Sequence, residues 1–325
     1  MTTMRAILPG PEMVWAQTER PEPGPGQIRI RVAATAVNRA DLVQQAGRYP
    51  PPPGASQILG LECAGTIDAV GPDVSPSRVG EQVAALLSGG GYAEFAICHA
   101  EHTLPLHPHQ GATVAAAIPE TLCTAFLNLK VEAALEPGER VLLHAGGSGV
   151  GTTAIELCRQ WGNPTWVTVG SNEKVAQCVA IGADGGSNRH TDDWVEQARE
   201  WSEGRGIDVI LDPVGGGYLG PNQQALATDG RMVLIGLMGG RADQLDLGRL
   251  LIKRQRIIGS TLRARSDAFK AALIDRIRDE AWSLYDGGLV VPQIHAVLPL
   301  SEAREAHDLL ASNATFGKVV LSVDP

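Results

Sequence analysis

Residues 145–152 read AGGSGVGT, directly behind the continuous apolar run 140–145 and at the opening of a helical pattern over 150–161. Gly146, Ser148, Gly149, Val150 and Gly151 thus form a glycine-rich turn of the G-x-G-x-x-G kind, with Ser148 in the middle position. Glycines in such a turn let the backbone bend tightly and approach a pyrophosphate, which settles on the free N–H groups and positive dipole end of the helix. The same turn can join a strand to a helix with no ligand at all. Its place in a β-α-β series is what makes a dinucleotide the expected occupant.

The second strand decides which dinucleotide. About 20 residues on, an NAD site carries an Asp or Glu for the ribose 2′-hydroxyl. This chain instead reads Thr168-Val169-Gly170-Ser171-Asn172-Glu173-Lys174. A hydroxyl at Ser171 and an ammonium at Lys174 suit a 2′-phosphate, and no carboxylate ends the strand to repel it, so NADPH is the expected cofactor. Ser171 also suits an N-cap and Lys174 a solvated surface charge, and both roles are compatible with phosphate binding. Arg189, next to Asn188, either adds a second cation or is simply exposed.

Metal chemistry can be tested by subtraction. Zinc takes about four ligands from Cys, His and acidic side chains. His99, His102, His107 and His109 form a group, but their spacing fits a solvated loop through Leu104-Pro105-Leu106, with no Cys or acid at helical pitch. The five cysteines are scattered without a CxxC pair, which suits reduced thiols. No metal site is expected.

The elements that must hold these residues fall into two textures. The first third is rich in Gly and Pro and carries short β-type runs, QIRIRVAATAV, AGTIDAVG, EQVAALL and YAEFAIC, separated by turn residues. From about residue 121 strands alternate with helices, the pattern of a parallel sheet covered on both faces. Strands are expected at 140–145, 165–169, 186–188, 207–212, 231–236 and 256–261, with helices at 150–161, 173–181 and 193–201. Six strands with helical crossovers make a doubly wound dinucleotide fold. The tail returns to β character at 293–298 and 317–323 and is expected to fold back on the first domain. The domains are therefore 1–121 with 292–325, and 122–291.

Composition narrows the class. A chain of 325 residues suits two lobes, and 44% apolar residues describe a globular protein. No apolar run nears the roughly 20 residues that span a bilayer, and the opening MTTMRAILPG lacks a signal-peptide pattern, so a cytoplasmic enzyme off the membrane is expected. A net charge of −9 disfavours a broad nucleic-acid surface.

Several blocks in fixed order, VAATAVNRADLVQQAGRYPPPPGASQILGLECAG, AAAIPETLCTAF, HAGGSGVGTTAIEL, LATDGRMVLIGLMGG and FGKVVL, resemble the zinc-independent quinone oxidoreductases of the medium-chain dehydrogenase/reductase superfamily. The resemblance implies a GroES-like irregular β domain beside a Rossmann-type doubly wound parallel sheet. It implies that Asn38 and Tyr49 lie beside the nicotinamide and that Thr124 touches the ring from the cofactor domain. Gly149 and Val150 would face the pyrophosphate, Ser171 and Lys174 the 2′-phosphate, and Leu237, Met238 and Gly239 the nicotinamide. Zinc members have a Cys at the place of Asn38 and a His-Glu pair at Leu61-Glu62, which leaves Glu62 as an unpartnered structural carboxylate. Relatives usually have Tyr at the place of Arg189, so this chain departs there. The resemblance also implies a homodimer joined at the sixth strand, the edge of the sheet.

The implied reaction is hydride transfer to a quinone or conjugated carbonyl, with Tyr49 and Asn38 available to stabilise an oxyanion. An enoyl-thioester or enone reductase would use the same cofactor geometry. A sensor, RNA-binding or structural protein is the reading from another class, opposed by the intact glycine turn and the acidic charge.

Overall fold

The computed structural model describes residues 2–106 and 111–323. His107 and His109 lie outside the described residues. The chain divides into two compact units, Met1–Cys123 with Arg263–Asp286 and Pro292–Pro325, and Thr124–Leu262 with Gly287–Val291.

In the first unit the long strand Gln27–Val37 organises a seven-stranded sheet. On one side it pairs antiparallel with Glu62–Val70; on the other its first half pairs with Phe95–His99 and its last four residues with Lys318–Ser322. The C-terminal strand thus closes the sheet, and Ile294–Pro299 lies parallel beside it. Alternation sets the burial: Ile28, Ile30 and Val32 pack with Cys63, Ile67 and Val83. Past the register shift at Val32, Ala34 and Ala36 lie with Ala64, Ala84 and Ala115–Ala117. These small side chains let the short helix Ala112–Ala115 approach the sheet closely.

Residues 263–286 were expected with the alternating half, but they group with the first unit. Polar anchors explain this: Arg263 Nε donates to Ser88 O at 2.9 Å, Lys270 Nζ to Ser88 Oγ at 2.7 Å, and Arg278 Nη2 to Thr103 O at 2.6 Å. A second correction concerns the helical stretch Ala112–Glu132. It is long and apolar enough to meet the length and composition of a membrane span, yet 72% of its most apolar window is buried inside the protein. Its apolarity is that of a core helix.

The second unit is a six-stranded parallel sheet. Counted along the chain, its strands Val141–His144, Thr165–Val169, Gly185–Asn188, Ile207–Asp212, Leu226–Leu234 and Arg256–Gly259 lie in the order 3-2-1-4-5-6. Val141–His144 is buried throughout, as a strand covered on both faces must be. It stops one residue earlier than its apolar run because Ala145 takes a left-handed conformation, φ 54°, and begins the turn. The fifth strand is longer than expected and starts at Leu226. Each main crossover helix has its sequence cap: Ser148 accepts from Gly151 N, Ser171 from Lys174 N and Asp193 from Glu196 N.

Arg231, on the fifth strand, carries a large share of the polar bonding under this sheet. Its guanidinium meets Glu139 in a fork, Nη1–Oε1 2.7 Å and Nη2–Oε2 2.8 Å, and donates to Ala133 O and Ala134 O. Arg231→Met would take the guanidinium from a carboxylate that keeps, among the described residues, only the Glu136 N–H, and from two carbonyls. A loss of about 2–4 kcal/mol is expected, read as a lower urea midpoint at unchanged slope.

Candidate functional site

The glycine turn stands where the first strand meets the helix Gly149–Trp161. Two of its glycines are required by space. A Cβ on Gly146 would stand 2.7 Å from Val167 Cβ, and one on Gly151 would stand 2.6 Å from the carbonyl oxygens of Ala145 and Gly146. Ser148 Oγ takes the N–H of Gly151 at 3.0 Å. The N–H groups of Gly149 and Val150 belong to the first turn, which has no intrahelical acceptor for them. They, with the helix dipole, fit a pyrophosphate.

At the end of the second strand the expected phosphate residues come together. Arg189 lies across Gly170: a Cβ there would stand 3.1 Å from Arg189 Nη1. Lys174 feels both its own burial and the Arg189 charge, and the two push its ammonium below the usual lysine range. Ser171 caps the helix Asn172–Ala180 through Oγ, 3.2 Å from Lys174 N. The Asn188 amide is engaged locally. Its Nδ2 donates to Asn172 Oδ1 at 3.1 Å and its Oδ1 accepts from His190 N at 3.1 Å, so its amide holds the turn that presents Arg189.

Beneath this edge runs a buried polar chain that the sequence reading missed. Asn222 Nδ2 donates to Asp212 Oδ2 at 3.0 Å, which turns Asn222 Oδ1 toward His144 Nε2, 2.7 Å away. His144 Nε2 is therefore the protonated nitrogen, and Nδ1 accepts from Thr168 Oγ1 at 2.8 Å. Burial holds this imidazole below its usual pKa and thus neutral. Asp212 Oδ1 takes the N–H groups of Val214 and Gly215, fixing the loop after the fourth strand. Met238 N and Gly239 N then donate to Pro213 O and Val214 O, which seats the loop carrying Leu237, Met238 and Gly239. The available signal was a histidine ending an apolar strand just before the glycine turn.

In the first unit Asn38 opens the helix Arg39–Gln45, and the N3 residue Asp41 accepts from Asn38 N at 2.8 Å. The Asn38 amide is committed on both sides. Its Nδ2 donates to Glu62 Oε1 at 2.8 Å, and its Oδ1 accepts from Lys318 Nζ at 2.6 Å. Lys318 Nζ also donates to Glu62 Oε1 at 2.7 Å and to Val37 O at 2.9 Å. Glu62, expected to be unpartnered, is thus half of a fully buried ion pair, and its second oxygen accepts from Glu120 N at 2.9 Å. The correction comes from strand pairing, because Lys318 sits 256 residues away and reaches Glu62 only when the last strand joins Gln27–Val37.

Two acids around this pair respond to burial. Asp41 is pushed up to about 6, against the pull of its two backbone N–H donors, Asn38 and Gly60. Glu120 is pushed up to about 8 by burial and then by the Glu62 charge. Tyr49 is half-buried under the Arg263 guanidinium, whose carbon lies 5.3 Å from the ring centre. Burial and Glu120 raise its phenol, which stays protonated at neutral pH. Thr124, half-buried, lies in the second unit on the helix Pro119–Phe126, where its carbonyl accepts from Asn128 Nδ2 at 2.7 Å. The described histidines of the suspected group, His99 and His102, bond to Asp267. Among the described residues no three His, Cys, Asp or Glu side chains are grouped to hold a metal ion.

Residues 149–279 match the family described as zinc-binding dehydrogenase, and residues 24–108 match the alcohol dehydrogenase GroES-like domain. The chain is a member of the medium-chain dehydrogenase/reductase superfamily. As such it is an oxidoreductase, with a GroES-like β domain and a Rossmann-type sheet. Among solved structures, medium-chain dehydrogenase/reductase neighbours include a mycobacterial protein complexed with NADPH, with TM-score 0.86 and 27% identity over 99% of this chain and 100% of that one. The quinone oxidoreductase of Pseudomonas syringae pv. tomato gives 0.85 and 27% over 98% of each chain. The CurK enoyl reductase gives 0.85 and 27% over 99% of each. Phthioceranic/hydroxyphthioceranic acid synthase of Mycobacterium tuberculosis is 32% identical over 95% of this chain, which spans only 14% of that synthase.

The Lys318–Glu62 pair makes a direct stability test. Lys318→Met strands a buried carboxylate and is expected to cost about 3 kcal/mol or more. Adding Glu62→Gln should recover part of the loss in a double-mutant cycle of urea midpoints; fully additive effects would mean the two groups do not interact.

Proposed function

We propose that this protein is a metal-free reductase that passes a hydride from NADPH to a quinone or a conjugated carbonyl. The observation that carries the cofactor choice is the convergence of two cations near Ser171: Arg189 lies against Gly170, and its charge is felt by Lys174. Two cations beside the end of the second strand suit a 2′-phosphate, and the Asp or Glu that an NAD site carries there is absent from the sequence. The likeness to an NADPH-bound mycobacterial structure supports the same choice. Gly149 and Val150 would hold the pyrophosphate, and the 237–239 loop would border the nicotinamide. The bound cofactor supplies the hydride.

The metal-free part rests on Lys318. Where zinc members of the superfamily place a Cys and a His-Glu pair, this chain has Asn38 and Leu61-Glu62, and the cation between Asn38 and Glu62 is an ammonium. Asn38 thereby positions Glu62 and Lys318, its amide engaged through both nitrogen and oxygen. Tyr49, with its proton held, is the residue of this set that can donate to a developing oxyanion. The likeness to an enoyl reductase supports a second reading, in which a carbon beside the carbonyl must also be protonated.

We further propose a homodimer joined at the edge strand Arg256–Gly259. The neighbouring helix Leu247–Ile252 leaves Leu247, Leu251 and Ile252 more than two-thirds exposed, an apolar patch suited to a second copy. Sedimentation equilibrium should give twice the chain mass, and Leu251→Glu with Ile252→Glu should return the monomer.

For the cofactor, Lys174→Ala with Arg189→Ala is expected to raise the Kd for NADPH by about tenfold or more while leaving that for NADH nearly unchanged, measured by nucleotide fluorescence. Equal weakening for both nucleotides would overturn the 2′-phosphate assignment. For the acceptor, turnover of a quinone is compared with that of a crotonyl thioester under NADPH, and preference for the thioester would favour the enoyl reading.

A further inference from the structure

A groove of about 690 Å³ lies wholly within the first unit, away from the ion pair described above. Ser56 and residues 88–90 line it, as do His99, His102, Arg263 and Lys270. Arg263 is 5% exposed and Lys270 3% exposed. Among the described residues neither makes an ion pair, and both lean on one serine: Arg263 Nε donates to Ser88 O and Lys270 Nζ to Ser88 Oγ. Arg263 Nη1 reaches Tyr49 O at 3.5 Å, and Nη2 has no acceptor.

A buried cation without a counter-charge is costly unless something pairs with it. The nearby acids do not. Asp267, whose charge is felt by Lys270, turns its carboxylate to His99, 3.3 Å away, and to His102, and its side chain is 59% exposed. Glu120, whose field reaches both cations, forms an ion pair with neither, and burial and Glu62 push its carboxyl up to about 8. The unpartnered nitrogen is itself buried and lies beside Gly89. Gly89 has φ 147°, and a Cβ there would stand 3.4 Å from Arg263 Nη2.

We propose that Arg263, Lys270 and Ser88 form a binding site for an oxyanion, a phosphate or carboxylate carried by a ligand that lies in this groove. The orphaned edge of a guanidinium, an ammonium with one acceptor and a serine hydroxyl between them are the donors such a group takes. Arg263 also covers Tyr49, so the site adjoins the proposed acceptor residue, but a failure to reduce quinones would leave anion binding untouched.

The test is calorimetric titration of the full chain with inorganic phosphate, both free and saturated with NADPH. The expected result is a millimolar or tighter site that weakens about tenfold in Arg263→Gln and in Lys270→Met and persists in Lys174→Ala. Arg263→Lys, which keeps the charge, should retain part of the affinity, and near-UV circular dichroism checks that each variant is folded. Kinetics then identify the source of the anion, by comparing a neutral acceptor with the same acceptor bearing a carboxylate. If the anion is an arm of the acceptor, phosphate competes with the acidic form, and Lys270→Met raises its KM relative to that of the neutral parent. If it is a free effector, phosphate binds without competing with either. Phosphate binding that is absent, that is equal in wild type and both variants, or that vanishes in Lys174→Ala would overturn the assignment.

Discussion

A single buried ammonium holds the first unit together. Lys318 bonds at once to Glu62, to the side chain of Asn38 and to the carbonyl of Val37, and the groups come from three neighbouring strands and the start of a helix. Neither charge could be buried alone, because moving an ion out of water costs several kcal/mol that only close pairing and full hydrogen bonding repay. The consequence is topological: Glu62 can be buried only if the last strand of the chain returns to the long strand near its beginning. The same pairing takes up the amide of Asn38 and the backbone N–H of Glu120.

The second unit obeys a steric constraint of comparable weight. The first crossover helix lies so close to the first two strands that Gly146 and Gly151 have no room for a side chain. Closeness of this kind aims the helix N-terminus at the crevice where the strand order reverses, between the first and fourth strands. The His144–Asn222–Asp212 chain then ties the ends of the first and fourth strands together and, through Thr168, the second. One neutral imidazole therefore sets the height of three strand ends and, through the Asp212 turn, the seat of the loop at 237–239.

Much of this was legible without coordinates. The glycine turn, the six strands of the parallel sheet and the phosphate-type residues after the second strand were readable because each is a local pattern: burial on both faces gives unbroken apolar runs, and caps and turns involve residues a few positions apart. Boundaries moved where a local conformation intervened, as at Ala145. The side chains that form the polar networks were readable in type but not in partner. Glu62 looked unpaired because its partner, Lys318, lies outside any local window.

The sequence by itself determined the period and order of the elements, the glycine positions where no side chain fits, and the absence of an acid at the end of the second strand, since these follow from steric limits and short-range hydrogen bonding. Only the tertiary structure decided that residues 263–286 join the first unit, that Lys318 neutralises Glu62, and that Arg263 and Lys270 share Ser88 with no acid to pair them. Charge pairing and desolvation act through space between residues far apart in the chain, and the folded arrangement alone sets those distances.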